Sequence, residues 1–148
     1  PFDRDALSWA CKLHEIGLCV SHSHHHHHGS YLLEHSDISG FSKTEQQLIS
    51  LLVRNQRRTI HMKSLLQLSE DRAISALRCI LLLRISVLWF RSHTSDRVPK
   101  LKLKVSKNKL SLIISKKWLS TNPLTESDLE SERNYLKAAE ISLDIIEK

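Results

Sequence analysis

The spacing of apolar residues changes once along this chain, and that change limits the folds the chain can adopt. Over the first 95 residues apolar side chains recur every three or four positions, as between Asp5 and Glu15, which is the period of an amphipathic helix. From Lys100 onward apolar residues instead alternate with lysines, which is the period of a half-exposed strand. The sequence therefore predicts a mainly α fold: a helical domain over residues 1–95, then a small ββα unit of α+β type over residues 96–148.

Short polar segments divide the helical domain. Gly17 is expected to end the first helix, as a residue that tolerates a left-handed turn. A short helix is predicted over Ser30–His35, and a turn over Ser36–Gly40. Ser42, with Glu45 three residues later, predicts a capping box at the start of the next helix.

The remaining elements follow from the same rules. The segment Asp71–Phe90 is apolar nearly all round, so it is predicted to be the central buried helix. Alternation over Lys100–Val105 and Leu110–Ile114, with a turn at Ser106–Lys109 between them, predicts a β-hairpin. Asn122–Pro123 marks a helix start, and helical spacing of leucine and isoleucine then predicts a helix to the end of the chain.

The positive charge is concentrated in the middle of the chain. The net charge is +6, and residues 61–122 contain thirteen basic and three acidic residues. Such a segment attracts a polyanion: nucleic acid, an anionic membrane surface or a phosphate chain. Composition does not choose among these three.

Other features of the sequence bear on where the protein is located and on whether the chain is complete. No apolar run approaches the ~20 residues that cross a bilayer, and no signal-peptide pattern is found, so no transmembrane segment is predicted. The chain begins at Pro1 rather than Met, which suggests a piece of something longer. Three cysteines without CxxC spacing favour reduced thiols in a cytosolic protein.

Histidines are the conspicuous chemical feature, because no phosphate-cradling glycine loop and no nucleophile elbow occur. They are His14, His22, the run His24–His28, and His35 in the first quarter of the chain. Imidazole is a common metal ligand, and protonated imidazole donates to phosphate. A solvated histidine-rich loop without a dedicated role is one alternative interpretation, and an engineered affinity tag over His24–Ser30 is another.

A family resemblance becomes specific when these motifs are read in order. The segments that carry it are Leu13–Leu18, His22–Ser23, His26–Tyr31, Ser36–Phe41, Leu52–Arg54, Leu82–Ile85, Trp118–Asn122 and Asp128–Glu130. Together they resemble the carboxy-terminal region of bacterial exopolyphosphatases and of the related guanosine pentaphosphate phosphohydrolases. The resemblance runs from Leu7 to about Tyr135 and does not distinguish these two members.

The resemblance implies that catalysis and this chain belong to different domains of the full protein. In that family catalysis resides in two amino-terminal actin-like domains, with Mg²⁺ and a carboxylate base, and this sequence contains neither domain. The chain resembles the family's helical domain, which is related to HD phosphohydrolases, plus its small terminal domain. That region contributes to a homodimer interface and to a basic channel for phosphate chains. The resemblance thus implies no catalytic residue and no cofactor in this chain, and a fragment inactive alone.

An HD metal site would need a His-Asp pair together with further ligands. Here the pair is His14-Glu15, whose longer carboxylate is displaced, and Gln56 stands where the family often has histidine. Glutamine is a poor ligand for a transition metal. No metal site is therefore predicted, with His14 and Glu15 as the weak alternative.

Basic residues along the predicted channel form the candidate polyphosphate site. The resemblance and the charge pattern together select His22, His26, His28, Arg54, Arg57, Arg58, Lys100 and Lys102. Guanidinium groups bind phosphate oxygens bidentately, although arginines also favour helix ends and lysines keep strand edges soluble. Arg84 lies within an apolar helix, so it is expected to have a carboxylate partner such as Glu15, or an anion.

The predicted function is that of an exopolyphosphatase accessory region that binds polyphosphate and supports dimerisation. The alternatives are the corresponding part of a guanosine pentaphosphate phosphohydrolase, and a stand-alone HD-type metal-dependent phosphohydrolase. A specific nucleic-acid partner is disfavoured, because only 5% of residues are aromatic and few bases could stack. A cytoplasmic location is expected, with peripheral membrane association as the alternative.

Overall fold

The computed structural model describes residues 1–91 and 99–148 and divides the chain into two compact units. The first comprises residues 1–57 and 61–87, and the second comprises residues 58–60 and 88–148. The predicted fold class, mainly α with a small β unit, is confirmed. The predicted domain boundary between residues 95 and 96 lies outside the described residues.

Helices build the first unit. In chain order they are α1 (Phe2–Leu13), a 3-10 helix (Ile16–Cys19), α2 (His25–His35), α3 (Lys43–Arg54), α4 (Met62–Leu66) and α5 (Glu70–Arg91), whose last four residues belong to the second unit. Both α1 and α2 pack against α3, and α2 also packs against the 3-10 helix. Because α3 contacts both neighbours, it buries Ile49, Leu52 and Val53 almost completely.

The start of α3 has the predicted capping box. The backbone N–H of Ser42 donates to Glu45 Oε2 at 2.7 Å, and the backbone N–H of Glu45 donates to Ser42 Oγ at 3.2 Å. Two amide groups that the helix cannot satisfy are thereby hydrogen-bonded. The chain reaches this cap through the predicted turn, in which Gly40 has a φ of +91°.

Gly17 does not have the predicted role. Among the described glycines the positive φ belongs to Gly40, whereas Gly17 lies inside the 3-10 helix. A Cβ at Gly17 would lie 1.7 Å from the carbonyl oxygen of His25 and 2.6 Å from the backbone nitrogen of Gly29. Gly17 is therefore required by the close backbone approach of α2, which leaves no space for a side chain.

The loop interpretation of the histidine run is also wrong. The helix predicted over Ser30–His35 begins five residues earlier, at His25, so His25–His28 form its first turn. His24 precedes that turn in a left-handed conformation, with a φ of +56°. The histidine run alone does not specify a helix. Its close backbone contact with Gly17 favours the helical conformation.

The predicted buried helix corresponds to α5, which is most deeply buried near its middle. Ile80, Leu83, Arg84 and Ile85 are nearly inaccessible to solvent. Over the described parts of the chain, α5 is the helix that is long and apolar enough to cross a membrane, with a mean hydropathy of 1.9 over its most apolar window. Half of that window is buried inside the protein, as in the core helix of a globular fold.

The second unit contains the predicted hairpin. Its elements are β1 (Lys102–Ser106), β2 (Lys109–Ile114), α6 (Lys116–Ser120), α7 (Pro123–Ala138) and β3 (Ser142–Glu147). β1 and β2 are antiparallel, with Ser106 opposite Lys109 and the tight turn at Lys107 and Asn108 between them.

The prediction of a helix to the end of the chain is wrong beyond Ala138. Glu140 has a φ of +61°, which ends the helical path, and β3 then pairs parallel to β2 with Leu143 opposite Leu110. The sheet order is β1-β2-β3. The unpaired edge of β2 offers hydrogen bonds to this segment, and its isoleucines suit a strand better than a helix.

Candidate functional site

The first turn of α2 presents the largest concentration of titratable side chains in the first unit. Its histidines differ in exposure: His25 and His26 are 8% and 2% exposed, whereas His27 and His28 are half-buried. The contact of Gly29 and Gly17 fixes this turn against the 3-10 helix. The imidazoles are therefore held on a rigid element rather than on a free loop.

The rings of this turn lie close to each other and to histidines from other segments. His26 and His27 have ring centroids 4.3 Å apart, His27 and His61 are separated by 5.6 Å, and His22 and His25 by 6.2 Å. His61 comes from the segment between α3 and α4. We define the histidine cluster as His22, His24, His25, His26, His27, His28 and His61.

Two arginines act on this cluster: Arg54, the last residue of α3, and Arg57, three residues later. Burial lowers the pKa of His25, and the positive charge of Arg57 lowers it further. Burial likewise lowers the pKa of His27 and of His61, and Arg54 adds to both effects. These three imidazoles are therefore held in the neutral form at neutral pH, where each carries one N–H donor and one acceptor.

Buried polar atoms beside the cluster lack hydrogen-bond partners among residues 1–91 and 99–148. They are Nδ1 of His25 and Oε1 of Gln56. The other end of the Gln56 amide is used, because its Nε2 donates to the carbonyl oxygen of His14 at 2.5 Å. A buried polar atom without a partner is costly, so these atoms favour a polar ligand or water beside the cluster.

A buried arginine positions the edge of the cluster. Arg84 is 1% exposed, and its Nη1 donates to the carbonyl oxygen of Asn55 at 2.7 Å. The side-chain Oδ1 of Asn55 in turn accepts from the backbone N–H of His61 at 2.7 Å. Glu15, the carboxylate suggested as a partner of Arg84, is an exposed side chain. This chain of hydrogen bonds holds His61 near α2.

The pair His14-Glu15 does not form part of a metal site in the described structure. His14 Nδ1 lies 2.7 Å from the carbonyl oxygen of Cys11, and its Nε2 lies 4.0 Å from the Glu15 carboxylate. Within residues 1–91 and 99–148 no three His, Cys, Asp or Glu side chains converge to hold a metal ion.

The structure brings together the predicted site residues of the first unit. His22, His26 and His28 belong to the histidine cluster, and Arg54 and Arg57 act on its members. The remaining predicted residues belong to the second unit and are exposed: Arg58, Lys100 and Lys102. Polyphosphate binding by all of these residues stays a prediction.

Sequence reasoning missed four members of this site, which are His24, His25, His27 and His61. The resemblance pointed to alternate positions of the run, and a helix turn brings the intervening ones together as well. Nothing in the local sequence of His61 signals the site, because its place depends on Asn55 and Arg84.

Comparison with known proteins assigns the family. Residues 2–133 match the family model described as Ppx/GppA phosphatase, domain III. Because the match covers most of the chain, the chain belongs to the Ppx/GppA phosphatase family and corresponds to its third domain. The family resemblance found in the sequence is confirmed.

A particular relative extends this comparison. The chain is 36% identical over 131 residues to a protein of Vibrio atlanticus (strain LGP32) named guanosine-5'-triphosphate,3'-diphosphate pyrophosphatase. The match covers 86% of this chain and 25% of the relative. The chain thus spans about a quarter of the length of that curated relative.

Proposed function

We propose that this chain is the accessory carboxy-terminal part of a Ppx/GppA phosphatase, and that its histidine cluster, with Arg54 and Arg57, binds the phosphate chain of inorganic polyphosphate. The observation that carries the proposal is the convergence of the first turn of α2, His61 and two arginines on one region of the first unit. Bond cleavage is assigned to domains outside this chain.

The chemistry of the cluster suits a polyphosphate. Arginine forks bind phosphate oxygens through paired N–H groups, and neutral imidazoles each add one N–H donor. The N–H groups of His25 and His26 open α2 ahead of those of His27 and His28, which both donate to the carbonyl oxygen of His24, and the helix dipole favours an anion at this end. Each contact displaces counterions from a polyanion with about one charge per phosphate, so affinity should fall steeply with salt.

A guanosine pentaphosphate is the second candidate substrate. The name of the Vibrio atlanticus relative supports it, because that name specifies a guanosine that carries a 5'-triphosphate and a 3'-diphosphate. Both candidates present phosphate oxygens, so the same cluster suits either. Competition by each against labelled polyphosphate would separate them, since the tighter competitor identifies the preferred ligand.

The decisive experiment measures binding of polyphosphate to the purified chain at several salt concentrations. We expect the double variant Arg54→Gln/Arg57→Gln to weaken binding and to reduce the slope of log affinity against log salt by about 1 to 2. Arg78→Gln is the matched control, because Arg78 is an exposed arginine on α5. Unchanged affinity and slope in the double variant would refute the proposed site.

The wider assignment comes from the resemblance and the greater length of the relative. We infer two amino-terminal actin-like domains in the same protein, Mg²⁺ bound there, a homodimer, and a cytoplasmic location with peripheral membrane association as the alternative. A chain inactive alone is expected. Release of orthophosphate by this chain with Mg²⁺ or a transition metal would instead favour a stand-alone HD-type hydrolase. Equal binding of single-stranded DNA would favour a general polyanion site.

A further inference from the structure

A second site lies elsewhere in the first unit, at a cavity of about 320 Å³. Its walls come from α1, from the turn before α3 and from α3 itself. The principal lining side chains are Asp5, Ala6, Trp9, Phe41, Glu45 and Ile49. The volume falls at the lower end of the range found for small-molecule sites. None of these residues belongs to the histidine cluster.

The aromatic wall of this cavity is accessible and already contacts a cation. Trp9 is 42% exposed, and its ring meets Phe41 edge to face with centroids 5.2 Å apart. The ammonium nitrogen of Lys12 lies 4.6 Å from the centroid of the Trp9 ring. An indole at this exposure attracts ammonium groups and also packs against aliphatic chains.

Two carboxylates complete the lining. Asp5 is exposed, and among the residues that the structure describes its carboxylate makes no hydrogen bond or ion pair. Glu45 uses Oε2 for the capping box, and the Ser42 hydroxyl and backbone N–H both lower its pKa, so it stays anionic. These two carboxylates outnumber the ammonium group of Lys12 beside Trp9, so the cavity is a local concentration of negative charge in a chain with a net charge of +6.

We propose that this cavity binds a linear aliphatic diammonium ion. The two ammonium groups would pair with Asp5 and Glu45, and the methylene chain would pack against Trp9 and Phe41. A neutral alkyl ligand would offer no charge to Asp5 or to Glu45, whose Oε2 already accepts from Ser42, and a phosphate would be repelled. The proposal does not depend on polyphosphate binding, because no residue is shared with that site.

The test is titration of the full chain with 1,4-diaminobutane, followed by calorimetry and by tryptophan fluorescence. Trp9 is the exposed tryptophan, since Trp89 is buried and Trp118 is half-buried, so its emission should report the ligand. We expect saturable binding that is weaker for 1-aminobutane and absent for butan-1-ol. Binding of butan-1-ol as tight as that of the diamine, or the absence of saturation, would overturn the proposal.

Variants test the two parts of the cavity. Asp5→Asn should weaken diamine binding about fivefold to tenfold, the loss expected for one partly screened charge pair. Trp9→Leu should weaken binding and remove the fluorescence change, while its urea midpoint shows whether the fold persists. Asp71→Asn, an exposed carboxylate on α5, is the matched control and should leave binding unchanged. If Asp5→Asn and Asp71→Asn weakened diamine binding equally, the net charge of the chain would explain the binding and the proposed site would be refuted.

Discussion

Replacing Gly17 with alanine should destabilise the first unit more than any other glycine substitution in this chain. The new Cβ would lie 1.7 Å from the His25 carbonyl oxygen, whereas ordinary contacts begin near 3.4 Å. The first turn of α2 would therefore have to move by about 1.7 Å (3.4 − 1.7). Because the obstacle is backbone, no side-chain rotation can relieve it.

The magnitude follows from the opposing contributions. Overpacking of a core typically costs about 1–3 kcal/mol, and a backbone clash belongs at the upper end or above it. Alanine also has less backbone freedom than glycine in the unfolded chain, and this effect stabilises the folded protein by less than about 1 kcal/mol. We expect a net loss of about 3 kcal/mol, which lowers Tm by roughly 6–12 °C for a chain of this size.

The other two glycines provide matched controls. Gly29→Ala meets Val53 Cγ1 at 3.1 Å and the backbone nitrogen of Gly17 at 3.3 Å, contacts that require shifts of only a few tenths of an ångström. It also gains about 1 kcal/mol of helix propensity, so its net cost should be well below that of Gly17→Ala. Gly40→Ala meets open space but retains a φ of +91°, which should cost about 1–2 kcal/mol. Urea unfolding followed by circular dichroism gives all three values. A Gly17→Ala protein as stable as Gly29→Ala would refute the reasoning.

Three further predictions concern stability. The pKa values of His25, His27 and His61 are lowered by burial first and then by neighbouring positive charge, so the folded chain excludes protons that the unfolded chain binds below about pH 6.5. The free energy of unfolding should therefore fall as pH drops from 6.5 toward 5, by less than about 1.4 kcal/mol per pH unit for each imidazole. Urea unfolding measures this change, and a free energy of unfolding that rises over the same pH range would contradict the prediction. Ser42→Ala should cost about 1 kcal/mol by removing the α3 cap, with Ser39→Ala as the exposed control in the same urea assay. Arg84→Met should lower the unfolding free energy by about 1–3 kcal/mol, because the Asn55 carbonyl oxygen loses its buried donor; a neutral effect would show that this bond is dispensable.

Local signals in the sequence predicted the parts of the fold that depend on neighbouring residues. Ser42 and Glu45 are three positions apart, so their capping box needs no distant partner. The hairpin turn at Lys107 and Asn108 joins adjacent strands for the same reason. Both predictions are confirmed because the interactions that form these elements lie within the segment itself.

Distant contacts decide the parts that the sequence did not predict. Position 17 requires glycine because the backbone of His25 lies against it, and the helical start of α2 depends on the same contact. His61 joins the histidine cluster through Asn55, whereas Arg54 and Arg57 were selected from the family resemblance and the charge pattern. The side-chain types indicated what kind of site to expect. Which residues belong to the site could be seen only from the packing of α2 beside α3.

The parallel pairing of β3 with β2 has a consequence for how the protein is made. From Ile114, the last residue of β2, to Ser142, the first of β3, the chain advances 28 positions (142 − 114). At about 5–20 residues per second, a ribosome needs roughly 1 to 6 s to synthesise that interval. During this time the hairpin has an open edge that any extended segment could occupy. A chaperone that covers nascent strands would act on this interval.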